Sequence, residues 1–199
     1  MATGRKAPKG ARSRLTALEG TAYHEAGHAV AAFYLRRTGR LRRVTIVPDE
    51  KAGTLGHTQH WCTPAYWRKL DEGDWSAPVR LRLEEECIVL LAGGIAEKRA
   101  TGRYNRVGAR SDREKAADLA LHACGDDRIA SAFLKWLSLR AEGLVNVRWR
   151  EIEAIAAALL RHKTLKGRSR ISEIVDEALG LSRARRGAVA ASTRRRLAS

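Results

Sequence analysis

The stretch Thr21-Ala-Tyr-His-Glu-Ala-Gly-His-Ala-Val-Ala-Ala-Phe-Tyr-Leu35 organises the reading of this chain. Ala22, Ala26, Ala29, Val30 and Phe33 recur at helical spacing with few breakers between them, which predicts one helix. Thr21 is the expected N-cap and Thr38-Gly39 the expected stop. Inside the helix, His24 and His28 frame an H-E-x-x-H pattern. One turn apart, the two imidazoles leave the same face, about 6 Å apart along the axis. That separation suits two corners of a zinc tetrahedron. Glu25 sits beside His24 but points away from the histidine pair, so it can reach a metal-bound water without taking a metal position. The competing reading is an amphipathic helix with two incidental histidines and an exposed Glu25. A metal site needs a third ligand and a substrate groove from elsewhere in the chain.

The 199 residues are enough for one domain with a real core. A hydrophobic content of 44% with 30% charged residues is that of a globular chain, not a disordered one. No apolar run reaches bilayer-spanning length, and the basic N-terminus is followed by no apolar signal segment. Cys62, Cys87 and Cys124 form no C-x-x-C and read as reduced, partly buried thiols of a cytoplasmic protein. The net charge is +16, and its location matters more than its size. Arg5, Lys6, Lys9, Arg12 and Arg14 precede any acid, and Arg183, Arg185, Arg186, Arg194, Arg195 and Arg196 follow the last one. These 11 charges leave +5 for everything between them, so the body is nearly balanced. The expected organisation is a disordered basic arm over 1–18, a folded domain over 19–181 and a disordered basic tail over 182–199. Such tails serve solubility or touch nucleic acid non-specifically.

After the first helix, Leu41-Arg-Arg-Val-Thr-Ile-Val47 is rich in β-branched residues and closes on Pro48-Asp49, which predicts a strand and a turn. Gly53-Thr-Leu-Gly-His-Thr-Gln-His60 alternates and carries glycines, which predicts a second, looser strand at a sheet edge. An edge beside a metal holds an extended peptide by strand addition, through backbone hydrogen bonds that read little sequence. His57 on that strand could donate to an oxyanion, although an exposed strand histidine is the simpler reading. Trp61 to Trp75 reads as irregular, its aromatics covering a small core or lining a hydrophobic subsite. Ser76-Ala77-Pro78 opens a long helix to about Ala100, and Gly93-Gly94 within it signals close packing against another element. Ser111-Asp112-Arg113-Glu114 reads as a capping box that starts the next helix. Helices over about 127–142 and 147–163 and a short one from Ile171 to Leu179 complete a mainly α fold with a small β-sheet, an α+β class.

The third ligand is not fixed by spacing. The metzincin pattern needs a Gly and then a His beyond His28, where this chain has Ala31 and Tyr34. Glu84, Glu85, Glu86, Glu97 and Asp112 all remain as carboxylates on downstream helices. Several blocks in order, however, resemble one family. They are His24-Glu25-Ala26-Gly27-His28, then Val44-Thr45-Ile46-Val47-Pro48, then Leu55-Gly56 with Thr58. Leu90-Leu-Ala-Gly-Gly-Ile-Ala-Glu97, Thr101-Gly102 and Gly108-Ala-Arg-Ser-Asp112 follow, and Ala157-Ala-Leu-Leu160 with Lys163-Thr-Leu-Lys-Gly167 is similar to that family's late helices. Over about 20–176 the chain resembles the peptidase domain of FtsH-type zinc proteases.

The resemblance implies an FtsH peptidase-like helical fold with the H-E-x-x-H helix beside a short sheet. It implies Zn2+ held by His24, His28 and Asp112, with Glu25 as the catalytic base. It makes Glu97 a supporting residue behind the metal and Leu55, Gly56 and Thr58 substrate-binding positions. The expected activity is cleavage of unfolded or extended polypeptide by metal-activated water, without ATP in this chain. The family's membrane segments and ATPase module have no counterpart in the sequence, and an ATPase partner in trans stays open. Two rivals stand beside this reading. One is a repressor-cleaving H-E-x-x-H protease. The other is a catalytically weak or inactive scaffold whose basic tails bind nucleic acid, which an intact Glu25 argues against.

Overall fold

A computed structural model of the chain describes residues 16–35, 41–48, 56–59, 64–103 and 108–181. Residues 1–15 of the proposed arm, the proposed tail, Thr38-Gly39, Leu55, Trp61 and Cys62 lie outside the described residues, whereas residues 16–18, also expected in the disordered arm, instead cap and open the first helix. The elements run α1 (Ala17–Leu35), β1 (Arg43–Thr45), β2 (His57–Gln59), α2 (Pro64–Asp71), α3 (Ala77–Thr101), α4 (Gly108–Cys124), α5 (Asp127–Val147), α6 (Trp149–His162), β3 (Thr164–Lys166) and α7 (Gly167–Ala178). The fold is mainly helical with one small antiparallel sheet, as the sequence predicts.

Helix α1 is the centre of the molecule. From Gly20 to Ala32 every residue is buried except the half-buried Tyr23. Such a helix has no polar face to give to water, so it is a core helix and not an amphipathic surface one. It packs chiefly on α3 and α6. Alanines and Gly27 make the close approach possible: a Cβ on Gly27 would lie 2.6 Å from the Ala92 carbonyl oxygen and 2.8 Å from the Ala96 Cβ. Its N-terminus is set earlier than expected. Thr16 and Glu19 form a reciprocal cap, with the Glu19 amide donating to Thr16 Oγ1 (3.2 Å) and the Thr16 amide to Glu19 Oε2 (2.7 Å). Thr21 is therefore inside the helix, where its hydroxyl donates back to the Ala17 carbonyl.

The sheet has the order β2-β1-β3 and is antiparallel throughout, with Val44 opposite both Thr58 and Leu165. Strand β2 lies at an edge, as its glycines suggest. Strand β3 is not foreseen by the sequence reading. It follows α6 through Lys163, whose φ of 60 turns the chain sharply, and its Leu165 joins the main core. The stretch read as irregular contains a helix, α2. Proline is tolerated at its first position, and Gly73 (φ 76) lies just beyond its end. Helix α4 starts at Gly108, before the supposed capping box, and Glu114 accepts an ion pair from Arg110 (2.7 Å) instead of closing on Ser111.

Glu151 on α6 is 2% exposed and accepts from the Tyr34 hydroxyl (3.1 Å) and from Arg148 Nη1 (3.4 Å), while the Arg148 guanidinium stacks 3.9 Å from the Tyr34 ring centre. Burial, then the hydrogen bond to Glu151, pushes the Tyr34 phenol up to about 12. The folded state thus holds the phenol proton more tightly than the unfolded chain does. This contribution is complete below pH 10 and is lost as pH rises through 12. Tyr34→Phe should remove that segment of the alkaline stability curve, which urea titrations of both proteins at a series of alkaline pH values would show as a steeper loss of stability in wild type than in the variant between pH 10 and 12.

Candidate metal centre

Three elements converge on the first turns of α1. Helix α3 presents Val89, Gly93 and Glu97, four residues apart and so on one face. Helix α4 brings Asp112, and β2 crosses over Glu25. His24 and His28 meet with ring centres 4.6 Å apart and planes at 79°. Their Nε2 atoms are 3.0 Å apart, and each is 3.0 Å from Asp112 Oδ2. Among the described residues this is the one cluster of three such donor atoms close enough to share an ion.

The outer nitrogens decide what the inner ones can do. His28 Nδ1 lies 2.7 Å from the Val89 carbonyl oxygen, which only accepts, so that nitrogen carries the hydrogen. His24 Nδ1 lies 3.1 Å from Glu97 Oε2 and donates in the same way. In neutral rings both Nε2 atoms are then bare lone pairs, aimed at each other and at a carboxylate oxygen. Three acceptors at 3.0 Å with no hydrogen among them repel unless a cation sits between them. Metal bonds of 2.0–2.1 Å in a tetrahedron would separate such ligands by roughly 3.3 Å, close to the triangle seen. The chemistry of the donor set thus fits a zinc-sized ion. With protons as the only cations, burial opposes charge on His24, but Asp112, Glu97 and Glu25 outweigh it and raise the ring to about 10. Burial likewise opposes the Asp112 charge, and the two histidines hold that carboxyl well below the usual range.

Glu25 is 5% exposed, contrary to the amphipathic-helix alternative. Its Oε2 accepts the Thr58 hydroxyl at 2.7 Å. Gly56 lies against the same carboxylate, where a Cβ would come within 2.8 Å of Oε1. His57, between them, is exposed. Of the other carboxylates weighed, Glu97 reaches only the outer nitrogen of His24, and Glu84 pairs with Arg140 (2.8 Å). Sequence reasoning missed the Val89 carbonyl, which no side chain announces. It flagged Gly93 through its glycine pair without seeing why: a Cβ there would strike the His28 ring, 2.5 Å from Cε1 and 2.8 Å from Cδ2.

Residues 14–125, which span α1 to the end of α4, match the profile of peptidase family M41. The chain belongs to that family. It is 37% identical over 103 residues to the ATP-dependent zinc metalloprotease FtsH of Pirellula staleyi, covering 52% of this chain and 13% of that one. The FtsH 1 protein of Symbiobacterium thermophilum is 34% identical over 171 residues, covering 73% of this chain and 27% of its own. The zinc metalloprotease YME1L of Drosophila melanogaster is 32% identical over 107 residues, 53% of this chain and 13% of its own. The chain therefore spans a minor part of the length of these M41 relatives. M41 is a peptidase family, and these relatives are named as zinc metalloproteases. Among the described residues no helix is long and apolar enough to cross a membrane.

Proposed function

We propose that this chain is a zinc endopeptidase that cleaves unfolded or extended polypeptide and needs no ATP for the cleavage itself. The observation that carries the reading is the triangle of lone pairs on His24, His28 and Asp112 with a buried carboxylate, Glu25, on the adjoining residue. His24, His28 and Asp112 would hold the ion, and Glu97 and the Val89 carbonyl fix the ring orientations. Bound zinc supplies Lewis acidity toward the scissile carbonyl and its attacking water. Glu25 takes the proton from that water and returns it to the leaving amine nitrogen. Strand β2, at the sheet edge, offers backbone groups to an extended substrate through Gly56 and Thr58, with Leu55 just before them. Because the hydrolysis draws on water and Glu25, no nucleotide enters it. An ATPase acting in trans would deliver substrate and leave the cleavage chemistry unchanged. The folded body over 19–181 carries the whole site, and the basic tails are dispensable for cleavage.

Stoichiometric zinc in the purified chain and cleavage of casein that a chelator stops and added zinc restores are the expected results. Chelator-resistant cleavage would rule the reading out.

A further inference from the structure

Strand β2 addresses Glu25 with one face. Side chains alternate along a strand, so positions 56 and 58 share a face and His57 takes the other. His57 is exposed, whereas Thr58 is buried and Gly56 lies against the Glu25 carboxylate. The Thr58 hydroxyl has a single proton and two acceptors in reach, Glu25 Oε2 at 2.7 Å and the Glu25 backbone oxygen at 3.3 Å. The shorter contact is to a carboxylate, where a hydroxyl proton is held more strongly than by a neutral carbonyl. A methyl group at 56 would stand 2.8 Å from Oε1 and 2.9 Å from Cγ, so the bare Gly56 backbone packs against the carboxylate where no side chain fits.

From this arrangement we infer that Thr58 is a positioning residue for Glu25: its hydroxyl anchors Oε2 and so fixes the carboxylate that exchanges the proton. The inference rests on the reading of Glu25 as the base. It separates two roles within β2. Among the described residues the outer edge of β2 pairs with no strand, and Thr58 uses its side chain, not its backbone, to hold the base. Losing the hydroxyl should therefore slow turnover without weakening substrate binding.

Thr58→Val keeps the shape and removes the donor. Its zinc content and KM should match wild type, while kcat on a fluorogenic peptide falls on the order of 10²-fold, the cost of a misplaced reacting group. Thr58→Ser should recover most of the loss, and Thr58→Ala repeats the donor loss without a branched side chain. In metal-free protein, Thr58→Val should lower Tm, and the loss should shrink in a Glu25→Ala background, where no carboxylate remains to be held. Wild-type kcat in both donor-less variants, a rise in KM with kcat intact, or equal Tm losses in the two backgrounds would overturn the inference. An active Glu25→Gln protein would instead remove the reading beneath it and leave the thermal coupling in place.

Discussion

Glu25→Gln should leave the protein folded and zinc-loaded and abolish the proposed peptidase activity. The amide has the shape of the carboxylate and keeps a carbonyl oxygen that can accept the Thr58 hydroxyl, now 2.7 Å from Glu25 Oε2. None of the three converging donor atoms belongs to Glu25, so the cluster of His24, His28 and Asp112 persists. What is lost is the ability to take a proton. General-base catalysis contributes roughly 10²- to 10⁴-fold, and a neutral amide supplies none of it. Casein turnover should fall by that range while zinc stoichiometry and Tm stay near wild type. Glu25→Ala is the poorer test, because it also empties a buried site and leaves the Thr58 hydroxyl only the longer contact, 3.3 Å, to the backbone oxygen of residue 25. Full turnover by the Gln variant would require another base, and His57, exposed on the same strand, would be the first to examine.

The long helices were legible because they carry their signals locally. Helix α3 announces its start with Pro78 and its end with Gly102, whose φ of 78 caps the last turn. The misplaced boundaries err in one direction. Helices α1 and α4 each start a few residues before the capping pattern read from the sequence, and at α1 an exposed side-chain cap, not packing, sets the start. Thr16 with Glu19 outranks Thr21 because α1 extends outward from the core, and α4 begins before Ser111 because Gly108 opens it. Strand β3 was invisible because three residues show no alternation, and it exists only through pairing with β1 across more than a hundred residues. The site divides in the same way. His24, Glu25 and His28 sit on one helical turn and were readable from spacing. Asp112, 84 residues from His28, came from the family resemblance, since five carboxylates satisfied the spacing equally. The tie from Thr58 to Glu25 links two elements that no local pattern relates.

Gly93→Ala should cost the chain its metal. In the interior of a helix the change ordinarily stabilises, since Ala is favoured over Gly by about 1 kcal/mol. Gly143 on α5 shows the ordinary case: a Cβ there meets nothing within 4 Å, and Gly143→Ala should raise stability by roughly 0.4–1 kcal/mol. At Gly93 the new methyl would overlap the His28 ring at Nε2, Cε1 and Cδ2, the edge that faces His24 and Asp112. Helix α3 cannot retreat easily, because Ala92 and Ala96 on the same helix are buried against α1 at Gly27. The ring must move instead, breaking the 2.7 Å bond to the Val89 carbonyl that sets its tautomer. Overpacking of this kind costs about 1–3 kcal/mol, enough to cancel the gain in helix propensity. Disturbing the groups that orient a metal-bound histidine lowers metal affinity by roughly 10- to 100-fold, and here the nitrogen itself is displaced as well. Zinc competition against a chromogenic chelator should show a loss at or beyond the upper end of that range, with Gly143→Ala unchanged. Wild-type affinity in Gly93→Ala would mean that His28 does not hold the ion from the position described.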